Sequence, residues 1–178
     1  MSELDARLRA IEQRLAEHAA TGFEPGLTEP DPGADERWEA AQVWAHMAEF
    51  VGYWREQAER VINEYDGQPV EFGRVKTDAG RLEAIEQGRG RTIDELAGDT
   101  HRGLTVLRRF IDGLSPEQRA AVGRHVTRGE MDVDRLVGFF LLDHLEEHLD
   151  QLDGLNGAPD RAGRSISRSA PSVSSPAP

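Results

Sequence analysis

Apolar residues recur at helical spacing along most of the chain, and the places where the recurrence stops divide it into elements. In ELDARLRAIEQRLAEHA, Leu4, Leu8, Ile11 and Leu15 form one apolar stripe with charges elsewhere. That pattern predicts an amphipathic helix of about four to five turns. TGFEPGLTEPDPGAD breaks the period with glycine, proline and acidic residues and reads as a loop, with Asp35 placed to cap the next helix. ERWEAAQVWAHMAEFVGYW opens that second helix, rich in aromatics and expected to run to Tyr65. DGQPVEFGRVKTDAG reads as a long connection with some extended backbone, and RLEAIEQ as a short helix.

TIDELAGDTHRGLTVLRRFIDGL predicts a third main helix, with Ile93, Leu96, His101, Leu104, Leu107 and Ile111 near one side. Ser115, Pro116 and Glu117 have the composition of a capped short helix. VTRGEMDV reads as a turn, and DRLVGFFLLDHLEEHLDQLDGL as a fourth main helix closed by Gly154 and Gly157. Beyond it the chain is rich in proline, serine, alanine and arginine, with almost no large apolar residue to offset the entropy of ordering. The pattern therefore predicts a helical domain over 1–156 and a disordered tail over 157–178. Four main helices without a convincing alternating strand predict an all-α fold, a four-helix bundle with a long crossover between its second and third helices.

Composition narrows the partners. The 178 residues fit one domain of ordinary size. A formal net charge of -12 excludes the basic footprint that nucleic acid requires and disfavours an anionic membrane surface. There is no cysteine, so the chain offers no disulfide, no thiolate ligand and no cysteine nucleophile. The charged opening segment lacks the apolar core of a secretory signal, and no apolar run reaches the roughly 20 residues of a membrane span. A cytoplasmic protein is expected.

The candidate chemistry lies in histidine. His144 and His148 stand four apart in LLDHLEEHLDQL, about 40° apart around a helix axis, so both imidazoles can reach one point. Two ligands hold a metal weakly, and a catalytic site with open positions needs a third. His46 shares its helix face with Val43, Phe50 and Tyr53 and is expected to point inward, where apolar surroundings favour the neutral, metal-binding imidazole. A core histidine bonded to a neighbour is the competing reading for His46, and a solvated helix face for the pair. His101 is expected near the inward side of its helix, as core, as a pocket residue or as a fourth ligand. His18, near a helix end, and His125, after a short helix, are expected to be solvated or capping. The same letters, His144-Leu145-Glu146-Glu147-His148, also satisfy the loose H-x-x-E-H pattern in which the internal glutamate is the general base of a zinc protease.

Taken together, two stretches resemble the DinB-like superfamily of four-helix-bundle proteins, which includes mycothiol-dependent maleylpyruvate isomerases and bacterial thiol S-transferases. RWEAAQVWAHMAEFVGYW looks like its second-helix motif, a tryptophan followed eight residues later by an inward histidine. LLDHLEEHLDQL looks like its last-helix motif, H-x-x-x-H with a glutamine three residues on. The likeness spans roughly residues 3–155. It implies a divalent metal, zinc or nickel, held by His46, His144 and His148, with open positions for water, substrate or an activated thiolate such as that of mycothiol. Glu49 is expected either to accept from His46 or to be simply surface, Glu147 to orient a ligand or move a proton, and Gln151 and Tyr53 to line a pocket, with core packing the other reading for Tyr53. Trp38, Trp44 and Trp54 are expected to anchor the bundle. The segment Asp66–Gly90 departs from the family pattern and is expected either to shape the pocket mouth or to lie flat on the surface.

These readings leave three function classes. The first is a metal-dependent thiol transferase or isomerase acting on a small electrophile. The second is a non-catalytic bundle that binds a ligand or partner, and the third a metal-dependent hydrolase. A homodimer through helix faces is compatible with any of them.

Overall fold

The computed structural model describes residues 3–23, 25–30 and 36–156. The expected tail and the Asp35 cap lie outside these residues. Long helices α1 (Glu3–Thr21), α2 (Ala40–Glu64) and α4 (Ile93–Gly113) pack with a final helical rod. That rod consists of α6 (Val133–Val137), a π-helical segment (Gly138–Asp143) and α7 (His144–Asn156). Short helices α3 (Ala79–Gly88) and α5 (Pro116–Arg119) lie between the long ones.

Helix α2 occupies the centre. It buries Val43, Trp44, Met47, Phe50, Val51, Ala58 and Val61 because α3, α4 and α7 and the strands surround it. Leu8, Ile11 and Leu15 from α1, Leu104, Leu107 and Ile111 from α4, and Leu145, Leu149 and Leu152 from α7 close the core around it. Each large side chain so buried stabilises the fold by roughly 1.5–3 kcal/mol.

Several expectations are corrected. Helix α2 begins at Ala40, not at Glu36, because Glu39 is the cap: its N–H donates to Gln42 Oε1 at 3.1 Å. The residues ahead of it are pinned instead to the preceding loop. Thr28 N–H donates to the Trp38 carbonyl at 2.9 Å, and Trp38 N–H to Thr28 Oγ1 at 3.0 Å. The buried stripe of α4 runs through Leu96, Thr100, Leu104, Leu107 and Ile111. His101, about 100° round from Thr100, is therefore exposed.

The expected absence of strands is also overturned. Strands β1 (Val70–Phe72), β2 (Val122–His125) and β3 (Gly129–Asp132) form a sheet in the order β1-β2-β3. β1 runs parallel to β2, and β2 antiparallel to β3. Only 126–128 of the predicted turn is the connection. Three- and four-residue strands are too short for alternation to register, and Gly123 breaks the pattern where the Phe72 ring lies over it. A Cβ at 123 would stand 2.6 Å from Phe72 Cδ1. The molecule is thus mostly helical with one small sheet. No helix among the described residues is long and apolar enough to cross a membrane.

Candidate metal centre

His46 sits in the buried middle of α2, and His144 and His148 occupy the first two turns of α7. The structure brings these three together. His46 Nε2 lies 3.1 Å from His144 Nε2, and His148 Nε2 lies 3.3 Å from His144 Nε2. Ligand nitrogens around a tetrahedral ion at the usual metal–nitrogen distance stand about 3.3 Å apart, so the spacing suits one ion. The group could hold a metal ion.

What directs the three Nε2 atoms inward is found on the other side of each ring. His144 Nδ1 lies 3.1 Å from Glu147 Oε2, and a carboxylate can only accept, so the proton is on Nδ1 and the Nε2 lone pair faces the cluster. His148 Nδ1 lies 2.8 Å from Gln151 Oε1 and donates to it in the same way. His46 Nδ1 is buried without a hydrogen bond, and its neighbour is Glu49 Oε2 at 3.9 Å. His144 and His148 thus each have an acceptor three residues on along their own helix, the position where a helical side chain can turn back, and Glu49 stands at the same spacing from His46 without bonding to it. Outer acceptors of this kind commonly fix the tautomer of metal-binding histidines.

Burial, reinforced by the other two rings and by Arg81 and Arg74, pushes the His46 imidazolium well below the ordinary histidine range. Burial also pushes His148 down to about 3, with the His144 charge adding to it and the Gln151 hydrogen bond opposing it. Both rings are neutral at pH 7, the form that binds a cation. Trp38 stacks on His148 with centroids 5.8 Å apart and meets His46 edge-on at 5.2 Å, while Phe50 touches all three rings.

The cluster opens onto a cleft of about 960 Å³ that also reaches Trp54, Phe140, Arg74 and Arg128. That volume lies near the upper end of the range for small-molecule pockets, about 300–1,000 Å³. The Asp66–Gly90 segment contributes Arg74, Val75, Lys76 and Arg81 to its wall, so part of it shapes the pocket. The Arg81 guanidinium stands over the Trp38 ring at 5.4 Å.

The remaining sequence candidates divide. Gln151 and Glu147 hold the His148 and His144 rings, and Tyr53 lies under the Arg74 guanidinium at 3.9 Å. Trp44 is in the core, Trp54 stacks on Phe140 at 4.2 Å, and Trp38 covers the histidines. His101 is on α4, outside the cluster. His18 and His125, expected at the surface, are both buried. His18 lies between Asn156 and Asp153 of α7. His125 ends β2 against Trp54, Phe72 and Phe140, and Thr127 N–H donates to its Nδ1.

Sequence reasoning missed Arg74, whose only signal was its place in a charged connection, and the π-helical segment that leads into His144. π-Helical turns inside α-helices are frequent at functional sites. Comparison of the chain with protein-family models, with curated proteins and with solved structures gave no match.

Proposed function

We propose that this is a divalent-metal-dependent enzyme in which His46, His144 and His148 hold zinc or nickel. It would use a low-molecular-weight thiol, such as mycothiol, in S-transfer to a small electrophile or in its isomerisation. The observation that carries this reading is the convergence of three imidazole Nε2 atoms at the wall of an open cleft. The two motifs that resemble the DinB-like superfamily support it. Under that reading α1, α2, α4 and the α6–α7 rod are the four bundle helices, and the segment from 66 to 92 is the crossover.

A metal bound here would supply Lewis acidity, lowering the pKa of a bound water or thiol and polarising a carbonyl. The chain does the rest. Glu147 and Gln151 hold their histidines in the tautomer that leaves Nε2 free, and Trp38 and Phe50 shield the rings from water. The positive charge of Arg81 and Lys76 reaches His148 and favours an anion, a thiolate included, on the open side. Glu147, largely exposed in the cleft wall, is the carboxylate at hand to carry a proton. Because the chain has no cysteine, any sulfur nucleophile must come from outside.

Elemental analysis of untagged protein beside His46→Ala and His148→Ala tests the reading. The expected result is about one zinc or nickel per chain in the wild type and none in either variant, which leads to a screen of thiols against electrophiles. A wild type that takes up neither metal when offered it, and stays folded, would sink the reading.

A further inference from the structure

Behind the His46 imidazole stands Glu49, which is gripped by a segment from outside its own helix, and the grip comes from Arg74. Arg74, in the connection between β1 and α3, places Nη2 at 2.5 Å from Glu49 Oε2. Its Nη1 lies 3.5 Å from Asp78 Oδ1, at the N-cap of α3, and its guanidinium carbon stands over Tyr53, 3.9 Å from the ring centroid. The side chain is 10% exposed and that of Glu49 20%, so the pair is largely removed from water.

The backbone that delivers Arg74 is itself fixed. Gly73 N–H donates to Gln57 Oε1 at 2.9 Å. Gly73 has φ +90°, in the left-handed region that favours glycine, and a Cβ there would stand 2.3 Å from His125 Cδ2. Glu49, Tyr53 and Gln57 are spaced i, i+4, i+8, one stripe of α2 on which the connection docks.

An imidazole that gives Nε2 to a metal must carry its proton on Nδ1, and a buried Nδ1–H needs an acceptor. Glu49 stands at 3.9 Å from His46 Nδ1, short of a hydrogen bond by about 1 Å. A carboxylate free to rotate would turn to solvent. A carboxylate gripped by Arg74 stays beside the ring.

We propose that Arg74 is a positioning residue for the metal centre. It holds the Glu49 carboxylate against the Nδ1 side of His46, so that the β1–α3 connection sets the orientation and affinity of one of the three ligands. The proposal rests on the three-histidine reading above. It also gives the segment that departs from the family pattern a task beyond lining the cleft.

The test uses zinc, with affinity measured by competition against a chromophoric chelator, and the visible absorption of the cobalt(II)-loaded protein. The variants are Glu49→Gln, Arg74→Met, Arg74→Lys and the double Glu49→Gln/Arg74→Met. Glu59→Gln, which breaks an ion pair with Arg55 on the same helix, is the control. Glu49→Gln is expected to weaken zinc binding by about 10–100-fold and Arg74→Met by about 10-fold. The double variant should be no weaker than Glu49→Gln alone, because Arg74 acts through Glu49. Cobalt bands should move in both single variants, with Arg74→Lys intermediate and Glu59→Gln unchanged.

Arg74→Met with wild-type zinc affinity and cobalt spectrum overturns the proposal and leaves the three-histidine site standing. So does a double variant whose loss is the sum of the two single losses. Should Arg74→Met fail to fold, Glu49→Gln decides, and wild-type affinity and spectrum in that variant overturn the proposal equally. A wild type that binds neither zinc nor cobalt removes the site and the proposal together.

Discussion

Helix α7 and the π-helical segment before it meet two neighbours in opposite ways. Toward α1 the seam is one of matched charges. Arg7 reaches Asp143 at 2.6 Å and Glu146 at 2.8 Å, and Arg14 reaches Asp150 at 2.8 Å and Asp153 at 2.6 Å. His18 completes it: Asn156 Nδ2 donates to its Nδ1 at 3.1 Å, and its Nε2 donates to Asp153 Oδ1 at 3.0 Å. Toward α2 the seam sets nitrogen against nitrogen, with three Nε2 atoms converging and the acceptors behind the rings. His18 and His148 are both buried, yet His18 has a complementary partner at each nitrogen. His148 has one only at Nδ1, and its Nε2 faces another imidazole. Burial alone does not distinguish a structural histidine from a ligand. The partners at each nitrogen separate these two: both His18 nitrogens are satisfied, and His148 Nε2 is turned to another imidazole.

The largest expected effect comes from changing the register of α7. Val133, Leu136 and Val137 anchor α6 in the core, so the π-helical segment from Gly138 to Asp143 decides which face of α7 turns to α2. Inserting one alanine between Asp143 and His144, beyond the π turn, advances α7 by one helical position and rotates it by about 100°. His144 and His148 then stand where Leu145 and Leu149 stood, and those two leucines leave the core. Zinc binding is expected to disappear, and thermal stability to fall sharply. Phe139→Ala, which keeps the residue count, should bind zinc as the wild type does. Titration with zinc and thermal denaturation of the two variants check this. Undiminished binding by the insertion variant would show that the register of α7 does not set the three histidines.

That segment also marks the limit of what the sequence reveals. The pair His144 and His148 is legible because helical period projects i and i+4 onto one face, and the inward direction of His46 follows from its apolar neighbours. Their meeting across 98 residues depends on how α2 and α7 pack, and the residues hinted at it through the inward face of His46 and the resemblance of two motifs. Gly138–Asp143 has apolar residues compatible with an ordinary α-helix, so nothing local announced a π turn. Val70–Phe72 and Gly129–Asp132 are strands because they pair with β2, a tertiary cause. His101 was expected inward from approximate spacing, but the stripe that packs on α1 and α2 lies one residue away, through Thr100. His18 looked like a helix-end residue, and only the approach of Asp153 and Asn156 shows why it is buried. Arg74 carries no sequence signal beyond its place in a charged connection, since its partners are set by the path of that connection.

A smaller effect should appear as pH is lowered on chelator-treated protein. His46 and His148 have folded-state pKa values pushed below the unfolded value of about 6.5, His148 to about 3, chiefly by burial. Below about 6.5 the unfolded chain takes up protons that the folded chain refuses, so stability is complete above that pH and is lost as pH falls toward about 3. The denaturation midpoint should be level from pH 8 to 7 and decline below 6.5. His148→Gln, which removes one such group, should lose several degrees less between pH 7 and 5 than the wild type. Equal losses would mean that His148 is not held neutral by the fold.

The smallest effect falls on the α1 seam, where stability should change and metal binding should not. His18→Ala removes the hydrogen bonds to Asn156 and Asp153, and its cost is expected to be about 1–2 kcal/mol, the scale of hydrogen bonds lost from a mostly buried group. Arg14→Gln, at a half-exposed ion pair, should cost less than about 1 kcal/mol. Denaturant titration measures both. Zinc affinity should stay within about twofold in each, because neither residue shares a partner with the three histidines. The two seams lie on one helix, so their independence is a stringent requirement. If His18→Ala weakened zinc as His148→Ala is expected to, α7 would be transmitting strain from one face to the other, and the ion-paired seam would be part of the metal centre's support. If zinc affinity holds while stability falls, the α1 seam fixes where α7 lies, and the acceptors at Glu49, Glu147 and Gln151 fix how the three imidazoles point.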